Sequence, residues 1–155
     1  MNDLKFSFEQ YYPLLPNIPL SSLINKLLGE RDAISKNFIA KLYRENKNMG
    51  LAYQIYYKSA LWKDCVKPLL YLIGIKKRLF KVIHDGLGLG FICPHCNTIL
   101  RDINYLVPHH KKYPLLVKRY NFKGFDGRTK LNHPNKIEFM CNKCHQDEHG
   151  FGGNK

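Results

Sequence analysis

Acidic residues are scarce in this chain. Twelve aspartates and glutamates stand against 25 lysines and arginines, a formal net charge of +13. The shortage runs through both halves of the sequence, which excludes a single basic tail as its source. A uniformly basic surface on a small protein most often faces polyphosphate, because neutralising phosphates releases condensed counterions. Long apolar runs are missing too. The most apolar stretch, PLLYLIGI, covers Pro68 to Ile75 and is followed by KKR, far short of the ~20 residues that a membrane helix requires. The first ten residues, MNDLKFSFEQ, carry acids and lack the basic flank of a secretory signal. These absences lead us to expect a soluble, intracellular protein. A third glycine is also lacking where a dinucleotide fingerprint needs it, since DGLGLGF at 85–91 places Phe91 there. Outside two Cys-x-x-Cys pairs the one cysteine is Cys65, expected to be a small buried apolar residue.

What is present fits about one domain with a small appended module, given 155 residues. Residues 1–20 hold Pro13, Pro16 and Pro19 among aromatics and predict an extended segment with no regular element. From Ser21 the spacing turns helical: Leu23, Ile24, Leu27 and Leu28 form one stripe, and Ile34, Phe38, Ile39 and Leu42 another. A turn over Gly29 to Ala33 would separate them, leaving open a helix-turn-helix that offers ISKNFIAKLYREN to DNA. A third helical pattern runs through LAYQIYYKSALW and a fourth through VKPLLYLIGIKKRLFKVIHD, with Pro68 in the first turn. The segments expected are 1–20 extended, 21–85 a basic helical module, and 86–155 a second unit entered through a flexible glycine junction.

Four thiolates come from CPHC (Cys93, Cys96) and CNKC (Cys141, Cys144). Each pair can form a knuckle presenting two sulfurs, and two knuckles complete the tetrahedron that zinc prefers. Between them, INYLVPHHKKYP alternates like a strand up to His109 and His110, and KIEFMCNKCH is a second strand running into the knuckle. Neighbouring strand residues face opposite ways, so the two histidines can take different tasks. His145 and His149 are four apart, on one face of a helix that starts at the knuckle and is little more than one turn long. His95 is a spacer within its knuckle. His84, on the fourth helix, and His133 have no constellation around them.

In order and spacing, CPHC, PHH, PNKIEFM and CNKCHQDEH followed by Gly150 resemble the HNH endonuclease family over about residues 91–150. The resemblance implies an α+β fold: an N-terminal helical module plus a ββα-metal domain stapled by a four-cysteine zinc. It implies His110 as the general base that takes a proton from the attacking water. His109 and His145 match ligands of a catalytic divalent cation, and His149 an additional ligand in some members. Asn135 matches the asparagine that orients the base. It lies one residue farther from Cys141 than is usual, so Asn132 is the alternative. The implied activity is hydrolysis of DNA phosphodiesters, leaving 5′-phosphate and 3′-hydroxyl ends. The cation would be Mg²⁺ or Mn²⁺, although histidine-rich sites also accept Ni²⁺ or Zn²⁺. Double-stranded DNA is the expected partner, contacted by Lys111, Lys112, Lys118, Arg119 and Lys143. The alternative is a zinc module that binds nucleic acid through charge and stacking without cutting it.

Overall fold

The computed structural model describes residues 4–110 and 131–149, the last by its backbone alone. Helices come first and two small antiparallel sheets follow, so the class is α+β as expected. The prolines of the N-terminal segment do not keep it extended. Ser7 caps a short helix, α1 (Phe8–Tyr11), by accepting from the Gln10 N–H, and a 3₁₀ stretch (Tyr12–Asn17) takes Pro13 in its first turn, where a missing N–H costs nothing. Phe6 stacks on Tyr11 with ring centroids 4.0 Å apart. The buried Arg31 guanidinium donates to the Leu4 carbonyl, at 3.1 Å from Nε and 2.7 Å from Nη2. Lys76 donates to the carbonyls of Leu15 and Ile18. These charge-assisted bonds hold the segment on the body.

No turn forms at Gly29 to Ala33. A π-helical stretch (Ser22–Leu28) runs directly into α2 (Gly29–Asn46), and Gly29 has helical dihedrals. The expected helix-turn-helix is therefore absent at that place, because one glycine costs a helix only about 1 kcal/mol, too little to stop it. Lys47, at φ 55°, ends α2, and the Asn48 side chain caps α3 (Met49–Lys58). A second π-helical stretch (Leu61–Val66) feeds α4 (Lys67–Lys76), with Pro68 in its first turn as expected. Leu69 to Gly74 are all buried, so α4 is the central helix, apolar on every side.

The fourth helical pattern stops early. Arg78 adopts φ 57°, and KVIHD becomes β1 (Lys81–Asp85), which places His84 on a strand. The expected flexible junction is instead the turn of a hairpin: β1 pairs with β2 (Gly88–Ile92), Asp85 opposite Gly88 at φ +100°. Arg101 makes two bonds to the Asp85 carboxylate, at 2.9 and 2.8 Å, across the hairpin end. β3 (Ile99–Leu100) completes the first sheet against β2.

The second sheet pairs β4 (Leu106–His110) with β5 (Ile137–Cys141), and α5 (Asn142–His149) follows at once. α5 begins before Cys144, so it has 8 residues, about two turns rather than little more than one. One apolar core runs from Leu23, Ile39 and Leu72 in the helices to Phe91, Ile137 and Phe139 in both sheets. The Tyr71 hydroxyl donates to the Leu106 carbonyl at 2.6 Å, fixing α4 against β4. Among the described residues no helix is long and apolar enough to cross a membrane.

Gly74 sits where α4 meets β5. A Cβ there would lie 2.7 Å from both Phe139 Cε2 and Phe80 Cε1, inside two rings that already pack at 4.8 Å. Gly74→Ala is therefore expected to destabilise the fold by about 1–3 kcal/mol through overpacking, despite alanine's helix propensity. Urea titration measures it. A midpoint equal to that of the parent protein would contradict this packing.

Candidate metal centres

The first knuckle is the turn between β2 and β3. The Cys93 N–H donates to the Thr98 carbonyl at 3.0 Å, the Asn97 N–H returns to the Cys93 carbonyl at 2.9 Å, and Asn97 takes φ 64°. The second knuckle is the passage from β5 into α5, which carries Cys141 and Cys144. The Sγ atoms of Cys93 and Cys144 are 3.9 Å apart, those of Cys96 and Cys141 3.7 Å, and all four fall within 4.8 Å. Zinc held by thiolates at about 2.3 Å demands sulfurs about 3.8 Å apart, the edge of its tetrahedron. The four cysteines thus form a cluster able to hold a metal such as zinc.

The thiol chemistry fits the same occupant. Hydrogen bonds from Thr98 hold the Cys96 thiol down at about 6, whereas burial, and then the neighbouring sulfurs, push that of Cys144 up. Four sulfurs so close cannot all ionise unless a cation sits among them. The Cys141 N–H also points at Cys93 Sγ, at 3.3 Å. Cys65, the remaining cysteine, is buried in the helical core as expected.

On the hairpin, His109 and His110 do face opposite ways. His109 stands opposite Glu138 in the strand register. Its ring meets that of His145 on α5, with centroids 5.2 Å apart and planes at 72°. One ligand atom each from His109, Glu138 and Glu148 fall within 4.8 Å of one another. Two carboxylates and an imidazole make a harder donor set than the sulfur cluster, suited to a divalent cation that prefers oxygen and nitrogen. His95, within its knuckle, has Nε2 3.9 Å from Glu138 Oε2, both side chains partly exposed.

His110 turns to the helical side. Its ring lies against Tyr57 and Trp62, with centroids 5.9 and 6.1 Å away. Nδ1 is 2.8 Å from the Tyr57 hydroxyl and Nε2 is 2.8 Å from Asn132 Oδ1. Burial lowers its pKa to about 4, against the opposing pull of the Asn132 bond. The imidazole is therefore neutral at neutral pH. The His110 side chain is half-buried, whereas its polar neighbours are enclosed: Asn132 is 0% exposed and Asp32 7%. Burial also raises the Asp32 carboxyl, opposed by hydrogen bonds from Asn132.

Asn135 does not reach His110. It bonds the side chain of His133 within a 3₁₀ turn (Pro134–Lys136), and Asn132 takes the place beside the imidazole. The turn supplies the reason: it lifts Asn135 out to the exposed side while Asn132 remains in the core. Lys143 is exposed on α5. Lys111, Lys112, Lys118, Arg119 and the side chain of His149 lie outside the described residues. Glu138 and Glu148 carried weaker signals. Glu148 follows His145 by three, the spacing of one helix face, and Glu138 becomes visible once β4 and β5 are set in register. No family model, curated protein or solved structure matches this chain.

One zinc ion per folded chain is the expected result of elemental analysis. Cys93→Ser combined with Cys141→Ser is expected to abolish retention of the ion and lower the melting temperature, since such a site couples binding to folding. Metal-free protein whose melt is unchanged by the two substitutions would show that the cluster holds nothing.

Proposed function

We propose that this chain is a metal-dependent endonuclease of the ββα-metal kind, hydrolysing phosphodiester bonds of double-stranded DNA. The observation that carries the proposal is the hairpin followed by a helix, which gathers His109, Glu138, Glu148 and His145 on one side and turns His110 to the other. His109, Glu138 and Glu148 would hold Mg²⁺ or Mn²⁺, with His145 beside them. Bound there, the cation supplies charge stabilisation for the scissile phosphate and the leaving 3′ oxygen. His110 is the general base: its neutral ring accepts the proton of the attacking water, which has to take the place of the Tyr57 hydroxyl at Nδ1. Asn132 holds the opposite nitrogen and fixes the ring plane. The net charge of +13 draws the polyanion to the surface.

A second reading has its own support. The packing of His110 against Tyr57 and Trp62, with both ring nitrogens engaged, also suits a histidine that only holds the fold. The chain would then be a zinc-stapled module that binds nucleic acid through charge and stacking.

Supercoiled plasmid separates the two readings. Nicked or linear product is expected with Mg²⁺ or Mn²⁺ and none with chelator. His110→Ala should lower the rate by about 10² to 10⁴ at unchanged zinc content. The defect of His109→Ala should be relieved in part by raising the Mn²⁺ concentration. Salt-sensitive DNA binding without cleavage under any metal would rule out the nuclease and leave the binding module.

A further inference from the structure

A polar network crosses from the helical half into the hairpin. One line in it runs from Asp32 on α2 through Asn132 and His110 to Tyr57 on α3, and Asn132 also bonds the Tyr56 hydroxyl. We propose that Asp32 is a positioning residue for His110: acting through Asn132, it decides which imidazole nitrogen carries the proton. The inference deepens the nuclease reading and rests on His110 being its base.

The assignment follows atom by atom. The backbone N–H of Asn132 cannot turn, and it donates to Asp32 Oδ2 at 3.1 Å. A carboxylate offers only acceptors, so the atom of the Asn132 amide that faces Asp32 Oδ1 at 2.7 Å is Nδ2, the donor. Asn132 Oδ1 is thereby aimed at His110, 2.8 Å from Nε2, and that nitrogen must carry the hydrogen. Nδ1 keeps its lone pair and accepts from the Tyr57 hydroxyl at 2.8 Å. A base needs that lone pair, since the water's proton has to arrive on it. Burial raises the Asp32 carboxyl, and the two bonds from Asn132, then the buried Lys36 and the Leu131 N–H, oppose it in favour of the carboxylate. A buried charge with such partners is costly to place and serves to specify one arrangement. Here the arrangement is a tautomer.

An isosteric change reverses the line. In Asp32→Asn the backbone N–H of Asn132 still demands the oxygen, so the new NH₂ group faces the Asn132 amide. That amide must rotate to present Oδ1 to it, and its own NH₂ then points at His110 Nε2. Nε2 becomes the acceptor, the hydrogen moves to Nδ1, and Nδ1 can no longer take a proton from water. Exchanging both residues, Asp32→Asn with Asn132→Asp, leaves only acceptors facing Nε2 and restores the first tautomer.

Long-range ¹H–¹⁵N correlation of histidine-labelled, zinc-loaded full-length protein reads this directly, the His110 signals being those lost in His110→Gln. The parent protein should show a protonated Nε2 and an unprotonated Nδ1. Asp32→Asn should interchange them and lower kcat for plasmid cleavage by about 10² to 10⁴, as for a catalytic histidine held in the wrong tautomer, with KM nearly unchanged. The double exchange should return the parent's nitrogen pattern. A protonated Nδ1 in the parent overturns the proposal with no variant needed, and so does a pattern that Asp32→Asn leaves as it was. Failure of the parent to cleave DNA with any metal would instead remove the nuclease reading, while the nitrogen pattern still decides the role of Asp32.

Discussion

A β-strand sends successive side chains to opposite faces, and that constraint organises this molecule around two adjacent histidines. The β4–β5 hairpin lies between the helical body and α5. Leu106, Phe139 and His110 meet α4 and the aromatic side chains of the helical half. His109 and Glu138 stand on the other face, where His145 and Glu148 approach from α5. One residue of offset therefore separates a half-buried imidazole packed on the helical half from one set among potential ligands. A register slip by one would exchange the two environments. The register is held by Phe139, which packs on Tyr71, Phe80 and Gly74.

The sulfur cluster secures the other end of the same hairpin. Cys93 and Cys96 come from the turn between β2 and β3, Cys141 from the last residue of β5, and Cys144 from the first turn of α5. A metal held there would tie the first sheet to the second and set the start of α5, hence the reach of His145 and Glu148 towards His109. The two candidate centres differ in donor type as well as place. Four sulfurs suit a borderline-soft ion that remains, while imidazole with carboxylates suits a harder ion that exchanges.

Local patterns carried the helices, both hairpin strands and all four cysteines, because each depends on spacing within a few residues. Elements governed by tertiary packing were not legible in the same way. Gly29 looks like a stop, but burial of Leu28 and Ser35 around it carries the helix through. KVIHD matches a helical period as well as a strand's, and only its pairing with GLGFI decides. The helical region also proves continuous with the site. Asp32 and Asn132 are separated by 100 positions, and no sequence period links them to each other or to Tyr57. Choosing between Asn132 and Asn135 needed the 3₁₀ turn that exposes the second and buries the first.

The proposed nuclease requires two chemically distinct cations, one among the four sulfurs and one beside His109. Anomalous diffraction from crystals of the zinc-loaded protein soaked in Mn²⁺ tests it most directly. The account predicts a zinc peak among the sulfurs of Cys93, Cys96, Cys141 and Cys144, and a separate manganese peak bounded by His109, Glu138 and Glu148. Zinc alone, with manganese absent from the face of His109, would contradict it.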